Sequence, residues 1–217
     1  MTAAAPNGHG SRPADPHTRR TIPAGIGDTR RETYVTFHAV TLFRGVRSLG
    51  MYPQHGERIT MEPRLNYFGN SLAGKVLKHI NSASKVLSES TLPHATQELV
   101  KIRASQINGC GFCTDMHTKD AAAAGETAQR LHLVAAWREA TVFTDAERAA
   151  LEVAEQGTRL ADAAGGVTDE AWANAAKHYD EDQLVALMSL IAVINAYNRV
   201  NVINQQPAGD YKPGMFG

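Results

Sequence analysis

From Met61 onward, apolar residues recur at intervals of three and four, with polar residues filling the positions between. That spacing predicts helices, because one face of an α-helix collects every third or fourth residue. Ser71 is placed to cap a first helix whose stripe is Leu72, Val76, Ile80, Ala83 and Leu87. Pro93 opens a second, HATQELVKIRASQIN, with Leu99, Val100, Ile102 and Ile107 as its apolar set, and Gly109 supplies its stop. A third runs from about Gly111 to Ala124 and ends at Gly125, and ETAQRLHLVAAWRE forms a fourth. Thr144 and Glu147 have the spacing of a capping box ahead of AERAALEVAEQGTRLA. Thr168 caps a sixth helix, with Trp172, Ala175 and Tyr179 on one side. The longest comes last: Asp180, Glu181 and Asp182 put negative charge at its positive end, and Leu184, Leu187, Met188, Ile191 and Ile194 make its stripe. No alternating strand pattern follows residue 61. The pattern predicts an all-α helical bundle over residues 61–217.

The first 60 residues break this pattern. Pro6, Pro13, Pro16, Pro23 and Pro53 punctuate them, together with many glycines, and only YVTFHAVTLF (34–43) is apolar enough for a short element. They carry eight Arg and no Lys against four acids, a net charge of +4, which leaves −4 for residues 61–217. This composition predicts a disordered or poorly ordered N-terminal extension, with translation from Met61 as an alternative start. Asp15, Asp28, Glu32 and Glu57 argue against an organelle-targeting peptide, and no charged region followed by an apolar stretch marks a secretory signal.

Basic and acidic residues cancel at 22 each, so nothing points to nucleic acid or an anionic membrane surface. The longest apolar run, LVALMSLIAVINAY, is interrupted by Ser189 and Asn195 and falls short of the ~20 residues a span needs. With only two cysteines and no secretory signal, a cytoplasmic, reducing setting is expected. There a Cys-x-x-Cys pair is redox-active or metal-binding.

Those cysteines fall in NGCGFCTDMHTKD (108–120). Cys110, Cys113 and His117 stand at i, i+3 and i+7, which places two sulfurs and an imidazole along one helix edge. A helix start favours negative charge and so lowers a thiol's pKa. A neighbouring imidazole can take the thiol proton, and a spacing of three lets the sulfurs join as a disulfide. Zinc is a second reading, with His94, His132, Asp115 or water completing the ligand set, although no second Cys or His pair has finger spacing. An inert surface pair is a third.

The run ELVKIRASQINGCGFCTDMHTKDAAAAGET resembles the core motif of the carboxymuconolactone decarboxylase and alkylhydroperoxidase AhpD-like family: a Glu, then Cys-x-x-Cys, then a His four residues on. MEPRLNYF (61–68), TDAERAALEVAE and INAYNRVNV are similar as well, so the resemblance spans about residues 61–205. It implies an AhpD-like all-helical domain that assembles into trimers or hexamers, and a thiol-dependent peroxidase. On that resemblance Cys113 is the peroxide-attacking thiolate and Cys110 the more exposed resolving partner, while His117 and Glu98 form a proton relay. It implies no bound cofactor or metal, a hydroperoxide substrate, and an external dithiol, thioredoxin-like or lipoyl-type reductant. One departure stands out: the peroxidases of the family carry a further His between the cysteines, where this chain has Phe112. An apolar ring there predicts a shield for the sulfurs or an apolar entrance. Alternative readings are a carboxymuconolactone-decarboxylase-like lyase working by proton transfer at His117, or a non-catalytic redox or zinc-binding assembly module.

Elsewhere, Asn195, Asn198 and Asn201 recur on the last helix beside Arg199, and buried amides of this kind are expected to fasten the helix to neighbouring backbone or to another chain. Trp137 and Trp172 are expected as core or interface anchors, and Arg103 as the partner of a carboxylate. His79, His94, His132 and His178 have no mutual spacing that suggests a metal.

Overall fold

Helix caps set the boundaries of the bundle. In a computed structural model, which describes residues 61–162 and 165–216, the chain forms α1 (Ser71–Ser88), α2 (His94–Ile107), α3 (Gly111–Ala123), α4 (Ala128–Leu133), α5 (Asp145–Thr158), α6 (Asp169–Ala175) and α7 (Glu181–Asn204), with no strand among the described residues. The expectations for residues 1–60 lie outside the described residues. Thr144 and Glu147 form the expected capping box on α5, and Asp180 forms a second with Gln183 on α7. Thr168 caps α6 as expected.

α2 is the central helix, packed against α3, α5 and α7. One core joins α5, α6 and α7 through Ala149, Ala150, Val153, Ala154, Ala175, Leu187, Leu190 and Ile191, with Leu92 and Val100 from the α2 side. Small residues let α5 and α7 approach closely. A Cβ at Gly157 would meet Ile191 Cγ2 at 3.4 Å, the near edge of ordinary contact, so the crossing leaves little spare room there. A second core, around Leu99, Ile102, Val134, Trp137, Phe143 and Leu151, fills the space under α4.

Several expectations need correction. The cap of α1 is Asn70, not Ser71: its Oδ1 accepts from the N–H groups of Leu72 (2.9 Å) and Ala73 (3.1 Å). The expected stripe on α1 is not its buried face. Of that stripe only Leu87 is buried, beside Ala73, and Leu72 is 68% exposed, because α1 packs chiefly along α7 and no other described residue covers its remaining surface. The fourth helix stops at Leu133 and tightens into a 3₁₀ turn (Val134–Ala136), where the chain bends to bury Trp137. α5 ends at Thr158, short of the expected Ala161. Tyr179 lies beyond α6, buried, with its hydroxyl donating to the Ala146 carbonyl (2.8 Å). Trp137 anchors the core, whereas Trp172 is 37% exposed and Met188, on the expected α7 stripe, is half exposed.

α7 has 24 residues, and an 18-residue stretch of it has a mean hydropathy of 1.3, enough by length and composition alone to cross a bilayer, contrary to the expectation from its interrupted apolar run. In this fold it is a core helix, packed on α1, α2, α3 and α5 and carrying four buried asparagines, Asn195, Asn198, Asn201 and Asn204.

Two substitutions test this packing. Leu187→Ala, at a fully buried position, is expected to lower stability by roughly 2–5 kcal/mol. Asn70→Ala, which removes the α1 cap, should lower it by about 0.5–2 kcal/mol. Urea unfolding of the two variants measures both.

Candidate active site

The turn between α2 and α3 holds the sulfurs. Asn108 closes α2, and Gly109 takes a left-handed conformation (φ +66°) that turns the chain, as its position in the sequence predicts. Cys110 N–H then donates to the Ser105 carbonyl (2.9 Å), and Cys110 becomes the N-cap of α3. Its Sγ accepts from the backbone N–H of Cys113 at 3.4 Å, filling the place that a serine or aspartate oxygen takes in most caps. Both cysteines are free thiols and both are buried.

α7 fixes this turn through its asparagines. Asn108 Nδ2 donates to the side-chain oxygens of Asn195 and Asn198, each at 2.9 Å, and Asn198 Nδ2 donates to Ser105 Oγ (3.1 Å). Asn195 Nδ2 also reaches Thr158 Oγ1 on α5 (3.1 Å). At the end of the helix, Asn204 exchanges hydrogen bonds with the backbone of Leu65. These amides do fasten the helix to its surroundings, as expected. Asn201 does something else: its Nδ2 donates to Cys113 Sγ at 3.3 Å.

One turn beyond Cys113, His117 Nδ1 lies 3.0 Å from Glu98 Oε2 on α2. Glu98 is 5% exposed; Lys101 Nζ donates to its Oε1 at 2.7 Å, and His94 Nε2 lies 3.8 Å from the same oxygen. Burial pushes the Glu98 carboxyl up, but the His117 hydrogen bond and the Lys101 charge outweigh it and hold the pKa at about 2. An ionised carboxylate only accepts, so the His117 proton sits on Nδ1 and Nε2 is left as the ring's proton-transfer atom. The fold thus brings together all four expected residues: Cys110, Cys113, His117 and Glu98.

The two sulfurs differ electrostatically. The Cys113 thiol donates to Cys110 and lowers its pKa to about 7; burial opposes this, while the Cys113 N–H and Asn198 assist. For Cys113, the hydrogen bond it gives Cys110 and its own burial push the thiol far above the ordinary value, opposed only in part by Asn201 and Asn198. The expected lowering at the helix start therefore falls on Cys110. Both sulfurs are buried, Cys110 at 2% and Cys113 at 0% exposed, so the expected greater exposure of Cys110 amounts to a slight difference under the α2–α3 turn.

A cavity of about 800 Å³ decides which sulfur a ligand meets. Cys113, His117 and Glu98 line it and Cys110 does not. Phe112 and Met116 add apolar wall, as do Tyr197 from α7 and Phe68. The Phe112 ring packs at 6.3 Å from Phe68 and 6.2 Å from Phe216, so this position forms an apolar entrance, one of the two roles its chemistry predicts. Phe216 arrives on a C-terminal tail pinned to α3. Tyr211 donates to Asp120 (2.8 Å), Lys119 Nζ to the Tyr211 carbonyl (2.9 Å), and Gly209 N–H to Asp115 (3.0 Å).

Other candidates lie elsewhere. Arg103 forks onto Glu155 (2.8 and 3.1 Å), which also binds Trp137 and Arg138, so it meets the expected carboxylate away from the sulfurs. Of the side chains offered as further zinc ligands, Asp115 is held by Lys119 and the tail and His94 stands at Glu98; among the described residues no group of three or more His, Cys, Asp or Glu is arranged to hold a metal. Sequence reasoning missed the Asn201–sulfur contact and the tail. The period-three asparagines were the available signal for the first; nothing in the spacing announced the second.

Comparison with known proteins bears on the family and the fold. The family model for the carboxymuconolactone decarboxylase family matches residues 76–156. The uncharacterised protein YdfG of Bacillus subtilis is 39% identical over 142 residues, covering 65% of this chain and 94% of YdfG. The crystal structure of a protein of unknown function from Agrobacterium tumefaciens, whose suggested role is that of the antioxidant-defence protein AhpD, superposes with a TM-score of 0.64 at 31% identity over 69% of this chain and 100% of that one. A complex of a debrominase, Bmp8, with 2,3,4-tribromopyrrole shares the fold at 16% identity and a TM-score of 0.57, over 63% of this chain and 72% of that one.

The unequal sulfurs make a measurable prediction. Thiolate absorbance near 240 nm in the reduced protein should rise by one sulfur per chain as pH passes about 7, where Cys110 ionises. The second sulfur should stay protonated until far more alkaline pH, and simultaneous titration of both near pH 9 would contradict this assignment.

Proposed function

Because this chain belongs to the carboxymuconolactone decarboxylase family, with an AhpD-like fold, we propose that it is a thiol-dependent peroxidase that reduces hydroperoxides through a Cys113–Cys110 disulfide cycle. The observation that carries this reading is the cavity wall on which a buried, reduced Cys113 stands with a His117 oriented by Glu98.

A hydroperoxide entering past Phe112 meets Cys113. His117 Nε2 takes the proton of the Cys113 thiol, and the sulfur attacks the terminal peroxide oxygen. The S–O bond forms as the O–O bond breaks, and His117 returns the proton to the departing alkoxide. The products are an alcohol and a sulfenic acid on Cys113. Cys110, held as a thiolate near neutral pH, then attacks the Cys113 sulfur; the disulfide forms, and the hydroxide that leaves takes up a proton to become water. An external dithiol, of thioredoxin-like or lipoyl type, restores both thiols and leaves as its own disulfide. The same division of labour removes the apparent conflict between the two sulfurs. The better thiolate lies behind the wall and resolves, while the poorer one faces the substrate and draws on the imidazole. Glu98 keeps its negative charge throughout and fixes the imidazole orientation. Continuous re-reduction fits a cytoplasmic setting.

The His117–Glu98 pair could also move protons without the sulfurs, as a lyase of the kind that gives the family its name would require. Activity that survives alkylation of both thiols would favour that reading.

Exposed apolar side chains on α1 and α7, among them Leu72, Val86, Val185 and Ile203, support assembly into trimers or hexamers. Sedimentation velocity is expected to show no monomer at micromolar concentration.

Peroxide consumption with a dithiol donor tests the cycle. Cys110→Ser should retain a single turnover and lose recycling, and Cys113→Ser should lose both. His117→Asn should slow the first step by roughly 10²–10⁴-fold. Equal loss of the first turnover in the two cysteine variants would contradict the roles.

A further inference from the structure

Asn201 is 7% exposed, lies on α7 and lines the same cavity as Cys113 and His117. Its neighbours on the ladder spend their hydrogen bonds chiefly on structure: Asn195 and Asn198 hold Asn108, Thr158 and Ser105, with a lesser effect of Asn198 on the two thiols, and Asn204 holds the backbone of Leu65. The Asn201 amide is instead aimed at a reacting atom, Cys113 Sγ, 3.3 Å away. The backbone donor at the start of α3 is already committed to Cys110. Cys113 therefore has no amide of its own helix to stabilise negative charge, and α7 supplies one.

We propose that Asn201 is a catalytic residue whose amide N–H stabilises the negative charge that develops on Cys113 Sγ when its proton leaves, so that the cavity-facing sulfur can act as nucleophile. A neutral side-chain amide suits this task because it donates at every pH and never titrates. Hydrogen bonds to a charged acceptor are roughly twice as strong as neutral ones, so the contact strengthens as the thiol becomes a thiolate and favours the charged form.

Other charged and titratable groups share this environment. His117 and Asp120 of α3, Glu98 and Lys101 of α2, Tyr197 of α7 and Tyr211 of the tail line the cavity, as do His94 and the exposed Lys85 and Glu89 of α1, while Cys110 hydrogen-bonds Cys113 directly. The proposal rests on Cys113 acting as a nucleophile but not on which electrophile it meets, so the test uses iodoacetamide. The thiolate displaces iodide and forms a thioether, with no peroxide or reductant required.

In a full-length Cys110→Ser background, Cys113 is the single thiol and its alkylation rate against pH reports its ionisation. Adding Asn201→Leu should move that profile up by about one pH unit and slow labelling below it by about 10-fold. Asn201→Asp keeps the size, puts a carboxylate beside the sulfur, and should also move the profile up; this variant decides the matter if Asn201→Leu does not fold. Asn204→Ala, on the same helix, should leave the profile where it was. The proposal is overturned if both Asn201 variants, folded by circular dichroism, label with the parent's profile, or if Asn204→Ala shifts it as far as Asn201→Leu does. A protein inactive towards peroxide but showing these shifts would sink the peroxidase reading and leave this one standing.

Discussion

Four asparagines spaced by three along an otherwise apolar helix hold the rest of this structure in place. Buried amides are tolerable only when bonded, and each of these four finds its partner on a different stretch of chain: α5, the α2–α3 turn, a cysteine of α3, and the segment before α1. Apolar packing alone would let α7 slide or rotate against α2 at modest cost. The amide seam gives it one register, and that register puts a turn, a sulfur and a histidine–carboxylate pair around one cavity. Breaking a single member would leave a buried polar partner unpaired, which is why the seam specifies the fold beyond its contribution to stability.

The site then works by treating two chemically identical side chains differently. Cys110 caps a helix and receives both a backbone amide and its neighbour's thiol proton; Cys113 receives neither and is buried on the cavity wall. Three residues of spacing produce opposite shifts, since hydrogen-bond direction and burial govern a thiol more than its distance from the helix dipole. Across the cavity the Glu98 carboxylate is held ionised by Lys101 and His117, so the imidazole's tautomer is settled before any ligand arrives.

Much of this could be read from the sequence, and what could not has physical causes. The start of α5 was legible because a capping box is local, the start of α7 because acidic residues gather at a helix N-terminus, and the turn at Gly109 because a left-handed residue is local too. The motif's four residues came partly from spacing: Cys110, Cys113 and His117 share a face, but Glu98 joined them only through the family resemblance, since helix spacing cannot say that α2 folds back on α3. The α1 stripe was misread because periodicity records that a face is apolar and not whether this chain covers it. The Asn201–Cys113 contact joins residues 88 apart, and no local rule reaches that far. Nor does spacing tell which of two thiols will hold a shared proton.

One more consequence follows from α3, a helix of 13 residues. Its sulfur edge serves the cavity, Asp115, Lys119 and Asp120 grip the tail, Thr114 and Thr118 bond its own backbone, and Ala121 fills the core. Nearly every position answers to some neighbour, so this segment offers evolution little latitude for neutral drift. Substitutions should be tolerated more readily on the outer faces of α4 and α6 than on this short helix, where a change at one position calls for a matching change in a neighbour.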